Sequence, residues 1–322
     1  MTRIVEPDAR GIAEAVDTLR HGGIIGLPTE TVYGLAADAT NDDALRRVFA
    51  VKGRPLNHPL IVHIADARQL DDLARDVSDA CRVLIDYAWP GPLTVIVRAN
   101  DRVSRVATGG RDTVAVRLPA HAAAQAIITQ LGHPIAAPSA NRFGHVSPTS
   151  ARHVADDLGD DVDLVVDGGE CDVGVESTIV DCTLERPEIL RPGAITAEEV
   201  HRLLDEHGVA MSAEVSGESR APGMLERHYA PRAFVVLHES RATVPSDASF
   251  VIDCGAKDES DGASSGADDM VTAARTLYSR LRYADQAGVP VVHAVLPPAR
   301  GLGHALRDRL SKAAAGRTPA DS

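Results

Sequence analysis

Residues 8–35 read DARGIAEAVDTLRHGGIIGLPTETVYGL, and the order of patterns in this stretch decides the fold class. Ile12, Ala15, Val16 and Leu19 recur at helical spacing, which predicts an amphipathic helix over Asp8 to Arg20. Gly22 and Gly23 stop it. Ile24 to Leu27 then reads as a short buried strand. The strand runs directly into Pro28-Thr29-Glu30-Thr31-Val32-Tyr33-Gly34-Leu35, a segment of hydroxyls, a carboxylate and a glycine. That is where an α/β sheet places ligand contacts. The same residues also fit a glycine turn whose threonines satisfy backbone groups.

The alternation continues outward. Asn41 to Val51 is a second predicted helix, with Asn41 as its N-cap. Further helices are predicted at Val77 to Tyr87, Ala122 to Leu131, Ser150 to Leu158 and Thr196 to His207. Between them lie β-rich runs at Leu60 to Ile64, Leu93 to Val97, Thr113 to Leu118, Ile135 to Ala137, Leu164 to Val166 and Thr178 to Val180. An open, twisted mixed sheet with helices is expected for residues 1–210. From 211 to 232 the periodicity fails and Gly, Pro and Ser collect, which marks a linker. Residues 233–322 alternate again, with strands at Phe234 to Leu237, Phe250 to Ile252 and Val289 to Val295. Helices are expected around Met270 to Tyr283 and Leu302 to Ala315, giving a small Rossmann-like α/β domain with a parallel sheet. Asp258 to Asp269 is acidic and rich in Gly and Ser, so a mobile loop is expected there.

Composition bounds the function. The 322 residues are 44% hydrophobic and 25% charged, ordinary for a globular protein with sizeable cores. The four cysteines form no CxxC pair, which argues against a zinc ribbon or dithiol site and suits a reducing cytosol. The first ten residues lack an apolar signal core, and no stretch is apolar enough to span a bilayer. A cytoplasmic location is therefore expected. The formal charge of −13 argues against tight autonomous nucleic-acid binding, since backbone affinity comes from clustered Lys and Arg. Of 33 basic residues only Lys52, Lys257 and Lys312 are lysines, so Lys52 is the one lysine in the first 256 residues.

Three segments carry chemistry, although neither GxxxxGK[ST] nor a strand-borne GxGxxG is present. The first is the 28–35 segment. The second, Lys52 to Leu60 (KGRPLNHPL), sets two cations and an imidazole in a proline-constrained loop after a helix. A helix C-terminus attracts cations, but capping needs only one. A rigid K-x-R loop also suits polyphosphate, with Arg54 as the planar fork and Lys52 as the point charge. The third is Ala137 to Thr149 (APSANRFGHVSPT), where Ser147 and Pro148 read as N-cap and first residue of the next helix. Such a helix start can hold an anion or simply be capped. Arg117 and Arg191 sit at strand ends, a position that suits either a surface ion pair or a ligand clamp.

Together with Glu176-Ser177-Thr178-Ile179-Val180 and Arg191-Pro192-Gly193, these segments resemble, in order, the motifs of the YrdC-domain family. The stretch from Ala221-Pro222-Gly223-Met224 to His228-Tyr229-Ala230-Pro231 resembles the connector of its long, two-domain form. The resemblance implies an enzyme that joins L-threonine, bicarbonate and ATP into threonylcarbamoyl-adenylate with release of pyrophosphate. A tRNA threonylcarbamoyltransferase system then carries the group to tRNA. It also implies threonine contacts from Thr31, His63, Arg117, the Ala137 backbone and Ser177. ATP contacts are implied for Arg54, His58, Thr113, Ser139, Asn141, Ser147 and Arg191, with Tyr229 closing over the nucleotide. Lys52 and Arg54, with Mg²⁺ on ATP, are expected to stabilise charge developing on the phosphates. No metal ligand is assigned, and Glu30 and Glu176 stay open as helpers for metal or water. His58 stands where many relatives have Asn, and Ala137 where some have Thr.

Two other classes fit the same fold. An RNA-binding or ribosome-maturation module is disfavoured by the net charge. A carbamoyltransferase of the hydrogenase-maturation type carries cysteine-rich zinc modules, and no CxxC occurs here.

Overall fold

The computed structural model describes residues 2–212, 222, 229–254 and 266–315, with the backbone alone at 266–269. The connector motif around Ala221 to His228, apart from Pro222, lies outside the described residues. So does the expected loop from Asp258, up to residue 265.

The first domain contains β1 (Ile4–Val5), α1 (Ala9–Arg20), β2 (Ile25–Leu27), β3 (Gly34–Asp38), α2 (Asp42–Lys52) and β4 (Ile61–His63). It continues through α3 (Leu70–Leu73), β5 (Ala74–Asp76), α4 (Asp79–Ala88), β6 (Leu93–Ala99), β7 (Thr113–Arg117) and α5 (Ala122–Leu131). Then come β8 (Ile135–Ala136), α6 (Ala151–Leu158), β9 (Leu164–Val166), β10 (Thr178–Asp181), β11 (Glu188–Arg191) and α7 (Ala197–Glu206). The second domain is β12 (Phe234–His238), β13 (Val251–Asp253), α8 (Gly266–Gln286), β14 (Val291–Val295) and α9 (Gly303–Ala314).

The large sheet runs β1-β9-β2-β3-β8-β4-β7-β6-β10-β11, with β5 added beside β6. It is mixed. β4 pairs parallel to β7 and β10 parallel to β6, while β2–β3, β3–β8 and β6–β7 are antiparallel. Helices α1 and α5 bury Ala15, Leu19, Ile127 and Ile128 over one face, against Ile25, Leu27 and Ile135. Helices α2, α4, α6 and α7 cover the other, burying Val48, Leu84, Val154 and Leu204 with Leu35, Val62 and Val116. The core is aliphatic, as the low aromatic content requires.

Sequence-coded caps fix the helix starts. Asp8 accepts from the Gly11 amide, Asn41 from Asp43 and Ala44, and Thr196 with Glu199 forms a capping box. Helix α6 departs from expectation: its N-cap is Ser150, which accepts from the His153 amide. Ser147 lies three residues too early to cap it, and its hydroxyl instead donates to Glu176 at 2.6 Å. Strand β3 was not among the expected strands, because GLAAD is poor in β-branched residues and pairing on both sides holds it extended.

Three parallel strands in the order β12-β14-β13 form the second sheet, as expected. This domain packs directly on the first. Val32, Val146 and Val175 from the first join Leu277, Tyr278, Leu281, Leu306 and Leu310 from the second in one buried cluster. Arg282 of α8 pairs with Asp157 of α6 at 2.5 Å and also donates to the Ser147 carbonyl at 3.2 Å.

Candidate active site

Because β2 and β3 pair antiparallel with Leu27 opposite Gly34, Pro28 to Tyr33 forms the tip of a hairpin beside the central strands. The segment after β8 lies against it, with the Leu35 amide donating to the Pro138 carbonyl at 2.7 Å. Gly34 is required by that approach, since a Cβ there would sit 2.9 Å from the Ala137 Cβ. Thr29, Thr31 and Val32 of the hairpin tip and Ala137, Pro138 and Ser139 line a cleft. Ile61, His63, Arg117, Ser177 and Arg191 enter it from strands or strand ends, and Arg54, Glu176, Pro222 and Tyr229 complete the wall.

All five residues expected to contact threonine, Thr31, His63, Arg117, Ala137 and Ser177, line this cleft. Arg117 ends β7 and is buried. Its Nη1 donates to Thr31 Oγ1 at 2.8 Å and its Nε to the Gly91 carbonyl at 3.2 Å. Nη2 stands 2.7 Å from Glu30 Oε1. That contact is an ion pair without hydrogen-bond alignment, so Nη2 and both Glu30 oxygens have no hydrogen-bond partner among the described residues. Buried donors and acceptors left this way are costly, so the Arg117–Glu30 pair gains from a ligand that supplies the missing hydrogen bonds. His63 places Nδ1 3.1 Å from the Ile61 carbonyl. A carbonyl only accepts, so the proton is on Nδ1 and Nε2 keeps a lone pair. Burial and the Arg117 charge pull this imidazole down to about 3, so it is neutral near pH 7.

Of the residues expected at ATP, Arg54, Ser139, Arg191 and Tyr229 line the cleft, while His58, Thr113, Asn141 and Ser147 do not. Thr113 opens β7, about 13 Å along the strand from Arg117 at ordinary strand rise. His58 packs edge-on against Phe143 at 5.6 Å. Asn141 donates to the Arg142 and His145 carbonyls at 2.8 Å, shaping its own loop. Lys52, expected to act as a catalytic cation, does not line the cleft either. Its ammonium donates to the carbonyls of Ser139 at 2.5 Å and Asn141 at 2.6 Å, because the end of α2 lies directly under that loop. Burial, with Arg54 and Arg142 nearby, pushes its pKa well below the ordinary lysine value.

Three buried guanidiniums (Arg54, Arg117, Arg191) face the cleft against one lining carboxylate, Glu176. Burial chiefly, with Arg191 adding, pulls Arg54 down to about 10, so it remains cationic near neutrality. Arg191 donates to the Ser177 carbonyl and hydroxyl, both at 3.0 Å, and to the Pro222 carbonyl at 3.1 Å. Three fixed, buried cations on one cleft favour an anionic ligand there. Tyr229 is buried with φ of 59°, a left-handed backbone that a tyrosine adopts only under constraint.

Glu30 and Glu176, left open by the sequence, now separate. Glu176 accepts from Ser147 on Oε1 and from Tyr278 and Arg309 on Oε2, at 2.6 to 2.8 Å. Its oxygens are fully engaged, whereas among the described residues the Glu30 carboxylate is paired with Arg117 alone. Sequence reasoning missed Tyr278 and Arg309, which come from the second domain more than 100 residues away. No motif marks them.

An open mixed sheet whose strand-end loops gather a cleft lined by three buried guanidiniums, backed by a small parallel domain, defines a YrdC-type protein. The sequence matches the Sua5/YciO/YrdC family model, described as Telomere recombination, over residues 17–193. It matches the C-terminal domain of threonylcarbamoyl-AMP synthase over residues 195–315. The chain belongs to the Sua5/YciO/YrdC family in its two-domain form. It is 42% identical to the threonylcarbamoyl-AMP synthase of Pyrococcus abyssi, covering 93% of this chain and 92% of that protein. Identity to the Bacillus subtilis threonylcarbamoyl-AMP synthase is 39%, covering 95% and 93%. The crystal structure of Pyrococcus abyssi Sua5 complexed with L-threonine superposes with a TM-score of 0.86 at 38% identity, covering 98% of this chain and 97% of that one. Although the C-terminal family match begins at 195, α7 buries Val200 and Leu204 in the core of the first domain.

Proposed function

We infer that this protein is a threonylcarbamoyl-AMP synthase, a nucleotidyltransferase that binds L-threonine and uses ATP. The observation that carries the residue assignment is the convergence of Thr31, His63, Arg117, Ala137 and Ser177 in one cleft, beside Arg54, Ser139 and Arg191. The near full-length likeness to threonylcarbamoyl-AMP synthases, one of them crystallised with L-threonine, favours this reading over the two alternative classes.

In the proposed mechanism the threonine carboxylate hydrogen-bonds the Arg117 guanidinium, whose Nη2 it shares with the ion-paired Glu30. His63, neutral, offers Nε2 as an acceptor to the threonine ammonium or hydroxyl. At about 3 it is too weak to serve as an effective base, so it orients the ligand and does not remove its proton. Once the ammonium has lost its proton to solvent, the neutral amine attacks the bicarbonate carbon, forming carbamate with loss of water. A carbamate oxygen then attacks the α-phosphorus as the bond to pyrophosphate breaks. Positioning and charge neutralisation dominate such a step. Arg54 and Arg191, buried and cationic, face the departing charge. Lys52 acts one layer back by fixing the Ser139 to Asn141 loop.

Magnesium was expected with ATP. It would be carried by the nucleotide phosphates, which asks for no dedicated protein cage. Glu176 is saturated by its donors, Glu30 is turned to Arg117, and no cluster of three potential ligands occurs among the described residues. No step is therefore derived through a protein-bound metal. An acidic chain without a membrane-spanning helix among its described residues fits hand-off of the product to a separate tRNA-binding system in the cytoplasm.

The test is pyrophosphate release from ATP, bicarbonate and L-threonine. Release is expected to require all three, with serine a poorer substrate because a missing methyl costs about 1–3 kcal/mol. Equal release without an amino acid overturns the assignment.

A further inference from the structure

The second domain does more than carry the connector. Arg309, on α9, is fully buried. Its Nε donates to Glu176 Oε2 at 2.7 Å, across the domain boundary. Its guanidinium carbon stands 5.2 Å from the centre of the Tyr229 ring, and Tyr278 stacks on the same ring at 5.7 Å. Nη1 binds the neighbouring Asp308 at 2.5 Å, while Nη2 is buried with no hydrogen-bond partner among the described residues. Glu176 in turn takes the Ser147 hydroxyl and lines the cleft beside Arg191 and Tyr229.

We propose that Arg309 is a positioning residue for the nucleotide half of the active site, holding the Glu176 carboxylate through Nε and backing the Tyr229 ring with its guanidinium face. This rests on the reading that Arg191 and Tyr229, which line the cleft, serve ATP. Three physical points support it. A buried carboxylate is expensive unless paired, so the fixed charge of Glu176 depends on a partner supplied by α9. A guanidinium can lie flat on an aromatic face and hydrogen-bond in its own plane at the same time, which an ammonium cannot. Tyr229 holds an unfavourable left-handed backbone, which persists only where its surroundings over-determine it, and Arg309 and Tyr278 are those surroundings. The second domain thereby supplies part of the wall against which the nucleotide is gripped.

The experiment compares the full chain with Arg309→Met, Arg309→Lys and the double variant Arg309→Met/Glu176→Gln. Equilibrium binding of a non-hydrolysable ATP analogue and of L-threonine is measured alongside the melting temperature. Arg309→Met is expected to weaken the nucleotide analogue at least tenfold and threonine less than twofold. Arg309→Lys is expected to behave the same way, because a point charge cannot both reach Glu176 and cover the ring. The double variant removes the stranded charge, so it is expected to regain melting temperature without regaining nucleotide affinity. Recovery of both, or nucleotide binding within twofold of the parent in any folded single variant, reduces Arg309 to a structural ion pair and overturns the proposal. Should Arg309→Met fail to fold, the lysine and double variants decide by the same criteria. A parent chain that binds no nucleotide analogue sinks the proposed function itself, and this inference with it. A parent that binds it while the variants bind equally sinks the inference alone.

Discussion

Replacing Lys52 with Met is expected to melt the protein early as well as disable it. The sequence alone suggests a cation for phosphate, whose loss would leave stability almost unchanged. In the structure the ammonium donates to two buried carbonyls, of Ser139 and Asn141. Hydrogen bonds from a charged donor contribute about 1.5–3 kcal/mol each, and the two stranded acceptors would add a desolvation cost of similar order. Against this, the cost of burying the ammonium disappears with it, a cost evident in the lowered pKa of Lys52. A net loss of about 3 kcal/mol follows. At about 2–4 °C per kcal/mol for a domain of this size, the first-domain transition is expected to fall by about 6–12 °C. Methionine matches the length of the stem, so little of the loss comes from a cavity. Differential scanning calorimetry of the parent and Lys52→Met would measure it, with pyrophosphate release assayed below both transitions. Lost turnover with a melting temperature within 2 °C of the parent would refute the reasoning. It would put the Lys52 charge on the substrate after all.

Arg117→Ala is expected to raise the KM for threonine about 10- to 150-fold while that for ATP changes little, since one charged hydrogen-bonding partner of the carboxylate is lost. Steady-state kinetics with each substrate varied would show it, and an ATP-selective effect would reassign Arg117. Glu176 gives a pH signature. Burial pushes its carboxyl up, but Arg309 and Arg191 outweigh burial and hold it at about 2 against an ordinary 4.5. Its stabilisation, roughly 3 kcal/mol, is complete above pH 4.5 and is lost as pH falls toward 2. Urea midpoints at pH 5 and pH 3 should therefore fall further for the parent than for Glu176→Gln, and equal falls would contradict the pairing.

Much of the fold was legible because local rules govern it. Helices α1, α2, α5 and α7 lie within a residue or two of the expected spans, each bounded by a cap or glycine the sequence displays. Strand β3 was not legible, since GLAAD has weak intrinsic preference and becomes a strand only between β2 and β8. Ser147 was misread as a cap for a related reason. Three hydroxyl residues stand before α6, and only packing assigns Ser150 to the helix and Ser147 to Glu176.

The candidate site divides along the same line. Residue types at strand ends and in proline-rich loops can be read from sequence, because an α/β sheet delivers those loops to one edge. Thr31, His63, Arg117, Ala137 and Ser177 accordingly meet in one cleft. Which charge faces which partner is set by burial and distance, quantities absent from a linear pattern. Lys52 turns inward to carbonyls, Glu30 stays with Arg117, and Glu176 reaches across to Arg309. The sequence by itself determined the alternation, the caps and the motifs that place this chain in its family. Only the tertiary structure decided that α8 and α9 complete the back of the site. An ion pair between residues 133 positions apart has no local signature, and desolvation makes it matter.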